Sequence, residues 1–498
     1  MSKSAPQIDL PGLRLDRDRD CPLHQQLYAF LRTAIEEGRL QPNRRLPATR
    51  TLASEWGISR NVVMLAFEQL LLEGYLVAKT GSGTYVAPQN PTLLPEQPLV
   101  VPTPQRNRLP NHTAFQQAIP QHTGCFVPEK FVPFQTSVPS LRDFPFPVWS
   151  RLAAQVYREL HLYHLSYGNP AGYLPLREAI AKYVQVNRAV RCSPEQVIIV
   201  QGTQQALYLA GALLLRPGDP FWMEDPGYAT ARTILTAAGG VACPVPVGRE
   251  GIDLDFAISQ YPEARVAYVT PSHQYPMGGT LPYPTRKCLL QWAEQHEGWI
   301  IEDDYDSELR YSGKPLPSLQ GMDQAGRVVY IGTFSKTLFP ALRMAYLILP
   351  DAQTAHAFTR GKALLDQQSP LVEQLILTRF MEEGHFERHI RRMRQLYSHR
   401  QALLASLLEK LPALQTLTSS DAGMNLLAWL PETVNDQEVS AMLAQHGIVA
   451  PALSNYTLQH RQPPALVLGY AAFTDQQITK AAERLAGAFA QCELLASA

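Results

Sequence analysis

The sequence predicts an α/β protein with a small N-terminal domain and a large domain built on a mostly parallel sheet. At 498 residues the chain is longer than one compact core usually is, so two or three domains are expected. In the C-terminal part, the β-type runs VIIV, VAYVT, WIIEDDY and VVYIG alternate with helical segments, which is typical of a helix-covered parallel sheet. We place the domains at residues 1–87 and 131–498, joined by a proline-rich linker at residues 88–130.

Composition narrows the function classes. Hydrophobic residues make up 45% and charged residues 18%, which fits a globular protein rather than a disordered one. Lysine plus arginine equals aspartate plus glutamate at 44 each, so contact with nucleic acid requires a local basic patch. The six cysteines form no CxxC pair, so we expect neither a metal site nor a disulfide framework. No signal core and no membrane-spanning apolar run is found, so a cytoplasmic protein without membrane contact is expected.

The first 87 residues predict three helices followed by a β-hairpin. Apolar residues at helical spacing predict a first helix within residues 22–40, and a short second helix ends near Gly57. Ser59 is a candidate N-cap for a third helix, and Gly74 is its expected stop. The run YLVAKTGSGTYVAP then contains two short β-type segments around a Gly-Ser-Gly turn.

This order of elements is typical of a winged helix-turn-helix. The start of the third helix can present side chains to a DNA groove, and the hairpin tip can bring N–H groups and a lysine to phosphate. The candidate DNA-binding residues are Arg50, Ser59, Arg60, Asn61, Lys79, Gly81 and Ser82. A helical accessory domain with solvated arginines is the alternative. The stretch LPATRTLASEWGISRNVVMLAFEQLLLEGYLVAKTGSGTYV resembles the DNA-binding domain of GntR-type regulators, which implies double-stranded operator DNA as the partner.

The large domain contains candidates for each group that pyridoxal 5'-phosphate requires: an amine, an acid for the pyridine nitrogen, and phosphate donors. Lys336 follows the strand VVYIG in a poorly solvated setting, which favours the neutral, nucleophilic amine. Asp303 lies at the end of WIIEDDY, and Arg343 lies seven residues after Lys336. The further candidates are Tyr305 for the ring hydroxyl, and Ser335, Thr333, Gly202, Thr203 and Gln204 for the phosphate.

Residues 131–498 resemble the fold type I aminotransferases. The matching segments are SYGNPAGYLPLREAIAKYV, QGTQQAL, EDPGY, TPSHQYPMG, EDDYDSELRY and GTFSKTLFPALRMAYLILP. The resemblance implies a large sheet domain with a smaller α+β domain. It also implies that Lys336 forms the Schiff base, that Asp303 pairs with the pyridine nitrogen and that Arg343 binds the phosphate. Tyr228 falls where the family places an aromatic residue against the cofactor ring.

The sequence departs from this family at two positions. Tyr275 replaces the asparagine of the N-P-x-G turn, which leaves Tyr275, Tyr305 and His273 as candidates for contact with the cofactor's ring hydroxyl. Val467 stands where the substrate-carboxylate arginine usually lies, and Arg461 just upstream is the remaining candidate. Both departures weaken the expectation of ordinary α-amino acid transamination.

A GntR-type winged helix joined to an aminotransferase-like domain is the arrangement of the MocR family of bacterial regulators, and the chain resembles that family over nearly its whole length. The resemblance implies a cytoplasmic transcriptional regulator, nucleoid-associated when bound to DNA, that senses pyridoxal phosphate or an amine or amino-acid effector. It also implies a head-to-tail, domain-swapped homodimer. Two alternatives remain open. One is an active aminotransferase carrying a regulatory DNA-binding domain, and the other is a regulator that has lost the cofactor and uses the large domain only to dimerise.

Overall fold

The structure is a computed structural model of the chain. It describes residues 13, 15–17, 21–79, 81–88, 113–119, 131–248, 251–313, 316–418 and 420–491. The chain divides into two compact units, Met1–Leu109 and Pro110–Ala498, and each is described by itself. Most of the predicted linker at residues 88–130 lies outside the described residues.

The N-terminal unit has three helices and a hairpin in the predicted order. The elements are α1 Leu23–Glu36, α2 Thr49–Glu55, α3 Arg60–Leu72, β1 Leu76–Lys79 and β2 Gly83–Val86. The prediction that Ser59 caps α3 is confirmed, because its side chain accepts a hydrogen bond from the Val62 N–H. The hairpin is antiparallel, and a bridge between Arg45 and Tyr85 adds a short third strand to it. These features confirm the winged helix-turn-helix.

The second unit contains the remaining elements. Its helices are α4 Ala114–Ala118, α5 Phe146–Arg158, α6 Leu174–Arg188, α7 Thr203–Leu214, α8 Ala229–Ala237, α9 Leu254–Gln260, α10 Tyr283–Gln295, α11 Leu319–Met322, α12 Ala352–Asp366, α13 Leu371–Glu382, α14 His385–Leu408, α15 Asp436–Gln445 and α16 Asp475–Ala490. Its strands are β3 Val197–Val200, β4 Pro220–Asp225, β5 Val241–Gly248, β6 Gly251–Ile252, β7 Val266–Val269, β8 Trp299–Asp304, β9 Val328–Thr333, β10 Ala345–Ile348, β11 Thr416–Thr418, β12 Asn425–Trp429 and β13 Ala465–Gly469. In the part of the chain that the structure describes, no helix combines the length and the apolar character needed to cross a bilayer.

The large sheet has eight strands in the order β3-β10-β9-β8-β7-β4-β5-β6. The pairs from β9 through β8, β7 and β4 to β5 are parallel, whereas β10 is antiparallel to both of its neighbours and β6 to β5. Every residue of β3, β7 and β9 is buried, as expected for strands with both faces covered by helices. The predicted parallel sheet is therefore confirmed at its centre, and the carboxyl ends of β4, β7, β8 and β9 share one edge.

The C-terminal part forms the smaller α+β subdomain. Strands β11, β12 and β13 make an antiparallel sheet in that order. A buried core joins this sheet to α14, α15 and α16 through residues such as Leu404, Leu426, Leu443 and Leu485. Phe134 and Leu309 belong to the same core, so hydrophobic burial also joins the subdomain to the rest of the unit.

A buried ion pair connects α6 to the carboxyl end of β8. The Arg188 Nε lies 2.7 Å from the Asp304 Oδ2, and both side chains are almost fully buried. The Tyr330 hydroxyl of β9 donates to the same oxygen at 2.7 Å, while the Arg188 guanidinium also donates to the Ser272 hydroxyl and the Leu316 carbonyl. Burial disfavours the charged carboxylate, but the Arg188 guanidinium together with the Tyr330 hydroxyl and the Ser307 side chain outweighs this effect and lowers the pKa of Asp304. The network fixes the ends of β8 and β9 relative to α6.

A short helix within residues 88–130 was not predicted from the proline pattern. Helix α4 begins at a capping box in which Thr113 and Gln116 satisfy each other's backbone N–H groups. Phe115 of this helix packs edge-to-face against Tyr208 of α7, with the ring centroids 6.5 Å apart. This part of the predicted linker is thus attached to the large unit.

Candidate functional site

The predicted cofactor residues lie at the carboxyl edge of the large sheet. Asp303 is the next-to-last residue of β8, and Lys336 lies three residues after the end of β9. Arg343 lies just before β10, and Gly202 precedes α7. Ligands bind at this edge in α/β folds because loops following several strands converge there.

Lys336 is half-buried, and its ammonium group is held by the main chain. Its Nζ donates a hydrogen bond to the Ser137 carbonyl at 2.9 Å. The turn between β9 and the lysine is closed by the Ser335 N–H, which donates to the Thr333 hydroxyl at 3.2 Å. The predicted phosphate contacts of Ser335 and Thr333 stay predictions, while their observed contact shapes the loop that carries Lys336.

Asp303 is buried and has one carboxylate oxygen available. Its Oδ2 accepts a hydrogen bond from the Tyr268 hydroxyl at 2.8 Å. Its Oδ1 is buried and has no hydrogen-bond partner among the described residues. Burial raises the pKa of the Asp303 carboxyl to about 7, although Tyr268 and Lys336 act in the opposite direction. A buried acceptor without a partner is costly, so this oxygen suits a ligand that donates an N–H.

Arg343 lies against the start of α7, as an anion site requires. Gly202, the N-cap residue, has a φ of 89°, and a Cβ added there would come within 2.9 Å of the Arg343 Nη2. Only glycine therefore allows the guanidinium this close, where it also donates to the Gln201 carbonyl at 3.2 Å. Thr203 and Gln204 form the first turn of α7, whose free N–H groups favour a dianion.

Three tyrosines pack around Tyr275, which stands at the position of the replaced asparagine. The Tyr275 ring meets the rings of Tyr228, Tyr305 and Tyr456 nearly at right angles, with centroid distances of 5.9, 5.9 and 5.4 Å. The Tyr275 hydroxyl donates to the Tyr456 hydroxyl at 3.3 Å, and the Tyr305 hydroxyl lies 3.0 Å from the His273 Nδ1. Burial raises the pKa of Tyr305 well above its ordinary value, so its phenol stays protonated at neutral pH.

A loop of the C-terminal subdomain is attached to the EDPGY turn after β4. The two carboxylate oxygens of Asp225 accept hydrogen bonds of 2.7, 2.7 and 2.8 Å from the N–H groups of Leu458, Gln459 and His460. The Gly227 N–H donates to the Tyr456 carbonyl at 3.0 Å. These bonds hold Tyr456 beside Tyr275, so the tyrosine cluster joins the large sheet to the smaller subdomain.

Val467 and Arg461, the family position of the carboxylate-binding arginine and its nearest candidate replacement, differ sharply in exposure. Val467 of β13 is fully buried in an apolar cluster with Leu427 and Leu453. A buried apolar cluster is a poor environment for a carboxylate. Arg461 is exposed and directly follows the loop that Asp225 holds.

Three partners of the candidate site were not predicted: Ser137, Tyr268 and Tyr456. Tyr268 lies in the run VAYVT, and a polar side chain in an otherwise apolar buried strand is the signal that could have found it. Ser137 and Tyr456 lie far along the chain from their partners Lys336 and Tyr275. Their own sequence surroundings contain no comparable signal.

The candidate DNA-binding residues lie on α2, at the start of α3 and on the hairpin. Six of them are exposed and Ser82 is half-buried: Arg50, Ser59, Arg60, Asn61, Lys79, Gly81 and Ser82. The Lys79 ammonium lies 4.9 Å from the centre of the Tyr85 ring, and the Ser82 hydroxyl contacts the Tyr85 hydroxyl at 2.6 Å. Contacts with Tyr85 therefore restrict the side chains of Lys79 and Ser82 in the hairpin.

A winged helix and an aminotransferase-type domain in one chain define a helix-turn-helix transcriptional regulator. Comparisons with known proteins agree. The family profile described as "Bacterial regulatory proteins, gntR family" matches residues 23–86, and that described as "Aminotransferase class I and II" matches residues 139–485.

Two regulators match nearly the whole chain, and one solved aminotransferase structure matches about three quarters of it. The probable rhizopine catabolism regulatory protein MocR of Rhizobium meliloti is 38% identical over 487 residues, covering 97% of this chain and 96% of that protein. The pyridoxine biosynthesis transcriptional regulator PdxR of Corynebacterium glutamicum is 32% identical over 453 residues, covering 90% and 91%. The structure of LysN, an α-aminoadipate aminotransferase from Thermus thermophilus, matches with a TM-score of 0.70 and 27% identity, covering 77% of this chain and 98% of LysN. The chain belongs to the MocR family of GntR-type transcriptional regulators, which confirms the predicted resemblance.

The raised pKa of Asp303 predicts a pH dependence of stability. An ordinary aspartate has a pKa of about 3.9. Between that pH and about 7 the folded chain holds a proton on Asp303 that the unfolded chain has lost. The corresponding stabilisation is present at low pH and is lost as the pH rises through about 7.

We therefore expect the free energy of unfolding of ligand-free protein to fall less steeply in Asp303→Asn than in wild type from about pH 5.5 to about pH 8. Urea denaturation at several pH values measures this slope. Asp255→Asn, which changes an exposed carboxyl, should keep the wild-type slope. Equal slopes for Asp303→Asn and wild type would show that Asp303 does not titrate in this range.

Proposed function

We propose that this regulator binds pyridoxal 5'-phosphate at Lys336 and uses it to sense an amine or amino-acid effector. The observation that carries the proposal is the buried Oδ1 of Asp303, which lacks a partner among the described residues. It belongs to the same site as Lys336 and the Arg343 guanidinium over Gly202. A pyridine N–H, an aldehyde and a phosphate in one molecule would use all three groups.

Each group of the site fits a part of this cofactor. The Asp303 Oδ1 would accept the pyridine N–H, and its charge would favour the protonated ring. Arg343 and the first turn of α7 would hold the phosphate. When bound, the cofactor supplies an aldehyde for amines and a ring that withdraws electrons. Two relatives support this assignment: LysN was solved as a complex with N-(5'-phosphopyridoxyl)-L-leucine, and PdxR is a regulator of pyridoxine biosynthesis.

The chain's own residues prepare the site for an exchange of amines. The Ser137 carbonyl orients the Lys336 Nζ at 2.9 Å, and the Tyr268 hydroxyl fixes Asp303. An effector amine would compete with Lys336 for the aldehyde, which would leave the lysine amine to its contact with Ser137. Because no turnover is needed for such a response, a buried valine at position 467 is compatible with sensing.

The tyrosine cluster offers a route from this exchange to the rest of the large unit. Tyr275 and Tyr456 belong to the sheet domain and the smaller subdomain, and their hydroxyls meet at 3.3 Å. An effector beside these rings would contact both subdomains and would favour the arrangement in which its contacts are best. We infer that this shift in subdomain closure changes the way the winged helices engage operator DNA.

We also propose that the protein acts as a homodimer, so that two winged helices meet repeated half-sites. The segment after α5 exposes large side chains: Leu162 is 88% exposed, Tyr163 69%, Leu165 68% and Tyr167 83%. Exposed apolar clusters of this kind are typical of interaction surfaces. Equilibrium sedimentation of the full chain should give the mass of two chains, and a single-chain mass at micromolar concentration would overturn this assembly.

A working aminotransferase remains the second candidate. The intact set of Lys336, Asp303 and Arg343 favours it, and a 2-aminoadipate transaminase of Thermus thermophilus is 34% identical over 306 residues. The buried Val467 argues against it, because a transaminase must hold the substrate carboxylate. Release of a keto acid at about one turnover per second or faster would favour the enzyme over the sensor.

The Gly202–Arg343 contact predicts a specific defect in cofactor binding. Gly202→Ala would force the guanidinium away from α7, since the new Cβ meets the Arg343 Nη2 at 2.9 Å. We expect affinity for pyridoxal 5'-phosphate to fall about tenfold or more, because a hydrogen bond to a charged group contributes about 1.5–3 kcal/mol. Titration followed by visible absorbance measures it.

Gly218→Ala is the matched control for this experiment. Gly218 also has a positive φ, of 93°, but a Cβ there meets nothing within 4 Å. It therefore introduces similar backbone strain without displacing an arginine. If both variants lost the same affinity, strain alone would explain the effect and the proposed phosphate contact of Arg343 would be wrong.

The exposed start of α3 predicts a defect confined to DNA binding. Arg60→Ala should weaken binding to operator DNA by about tenfold or more. It should leave the absorbance of the bound cofactor unchanged, because Arg60 belongs to the other compact unit. Arg39→Ala, in an arginine paired with Glu37, is the matched control and should bind DNA normally. Wild-type affinity of Arg60→Ala in a gel-shift titration would contradict the placement of the recognition helix.

A further inference from the structure

A cavity lies beside the candidate cofactor site, between the large sheet domain and the smaller subdomain. Its volume is about 320 Å³, near the lower end of the range for small-molecule sites. It is lined by His273, Gly278, Thr280 and Arg310 of the large domain and by Ser420, Asp421 and Ala422 of the connection between β11 and β12. A small polar molecule in this cavity would contact both parts of the unit.

The cavity contains one cationic and one anionic side chain that are not paired with each other. The Arg310 Nη2 donates to the Ser272 carbonyl at 3.1 Å and to the Thr280 hydroxyl at 2.9 Å, which fixes the guanidinium in the wall. Asp421 accepts a hydrogen bond from the Ser312 hydroxyl at 2.6 Å. Within the described ranges, neither Arg310 nor Asp421 takes part in an ion pair.

We propose that this cavity binds a small amino acid as a zwitterion, at a site distinct from Lys336. A carboxylate matches the remaining N–H donors of the Arg310 guanidinium, which is the side chain best suited to planar anions. An ammonium group matches the Asp421 carboxylate. A molecule with a single charge would satisfy only one of the two, so the cavity selects for both charges.

The cavity is connected to the tyrosine cluster by direct hydrogen bonds. The Ser420 hydroxyl lies 2.9 Å from the His273 Nε2, and the His273 Nδ1 lies 3.0 Å from the Tyr305 hydroxyl and 2.8 Å from the Asp306 Oδ2. The contact is tight, because a Cβ added at Gly423 would come within 2.2 Å of the His273 ring. The His273 imidazole therefore links Ser420 in the cavity wall to Tyr305 in the tyrosine cluster.

The occupied cavity would stabilise the contact between the two subdomains, since its walls come from both. It would thus bias the same closure that an amine at Lys336 biases, and the two ligands would affect each other's affinity. This coupling rests on the proposed function, whereas binding in the cavity does not.

Calorimetry on full-length Lys336→Ala protein without pyridoxal 5'-phosphate tests the site. In this background no amino acid can act through the lysine or the cofactor. We expect at least one of the standard L-amino acids to bind with a Kd of about 1 mM or tighter. Its two analogues, one lacking the carboxylate and one lacking the ammonium, should bind about tenfold more weakly or worse.

Arg310→Gln and Asp421→Asn, each added to Lys336→Ala, should weaken binding by about tenfold or more. Asp421 is exposed, so that variant is expected to fold even if Arg310→Gln does not. Arg327→Gln, in an arginine that stacks on Trp299, is the matched control and should leave binding unchanged. Absence of binding by every amino acid, or equal binding by both cavity variants and their parent, would overturn the site. Because the measurement uses no cofactor, its result does not depend on the proposed role of Lys336.

Discussion

The buried ion pair between Arg188 and Asp304 determines where the carboxyl end of β8 lies, and the candidate site depends on that position. Successive side chains of a strand point to opposite faces, so holding Asp304 toward Arg188 and Tyr330 directs Asp303 to the other face. There its carboxyl accepts a hydrogen bond from the Tyr268 hydroxyl, and the positive charge of Lys336 acts on it. Two adjacent carboxyls thus differ in chemistry: a cation lowers the pKa of Asp304, whereas burial raises that of Asp303. Removal of one partner from such a buried pair costs about 3–5 kcal/mol. Substitution of either Arg188 or Asp304 alone is therefore expected to destabilise the fold.

The contacts between the two subdomains lie next to this fixed edge. Asp225 holds the loop that carries Tyr456, and His273 meets Ser420 on the other side of the tyrosine cluster. Both connections are hydrogen-bonded, and Met277 of the large domain also packs against the apolar cluster that contains Leu427 and Val467. The bonds to the Asp225 carboxylate contribute about 1.5–3 kcal/mol each, and the bond between His273 and Ser420 contributes about 0.5–1.5 kcal/mol. Under the proposed function, a ligand that contacts both subdomains would shift their arrangement by its difference in affinity for the two arrangements.

The elements, and the position of Asp303 and Lys336 at one sheet edge, could be predicted from the sequence for a physical reason. Carboxyl ends of parallel strands meet at one edge, so the order of the runs WIIEDDY and VVYIG is enough to bring Asp303 near Lys336. Contacts between segments distant in sequence could not be predicted in this way. Lys336 meets Ser137 across 199 positions and Tyr275 meets Tyr456 across 181, and both contacts depend on how whole subdomains pack. Helix α4 differs from these contacts, because its capping box is formed by residues close in sequence. The prolines on either side of it favoured a linker instead.

The proposed function requires that an effector amine acting at Lys336 changes the affinity of the DNA-binding domain for its operator. It is tested most directly by measuring operator affinity and visible absorbance together, with pyridoxal 5'-phosphate present and an amino-acid effector added, for wild type and Lys336→Ala. We expect wild type to show a lysine-dependent absorbance band and its DNA affinity to change when the effector alters that band. Lys336→Ala should lack the band and lose the response to the effector while still binding DNA. A wild-type spectrum that Lys336→Ala reproduces, or an unchanged DNA response in that variant, would contradict the account.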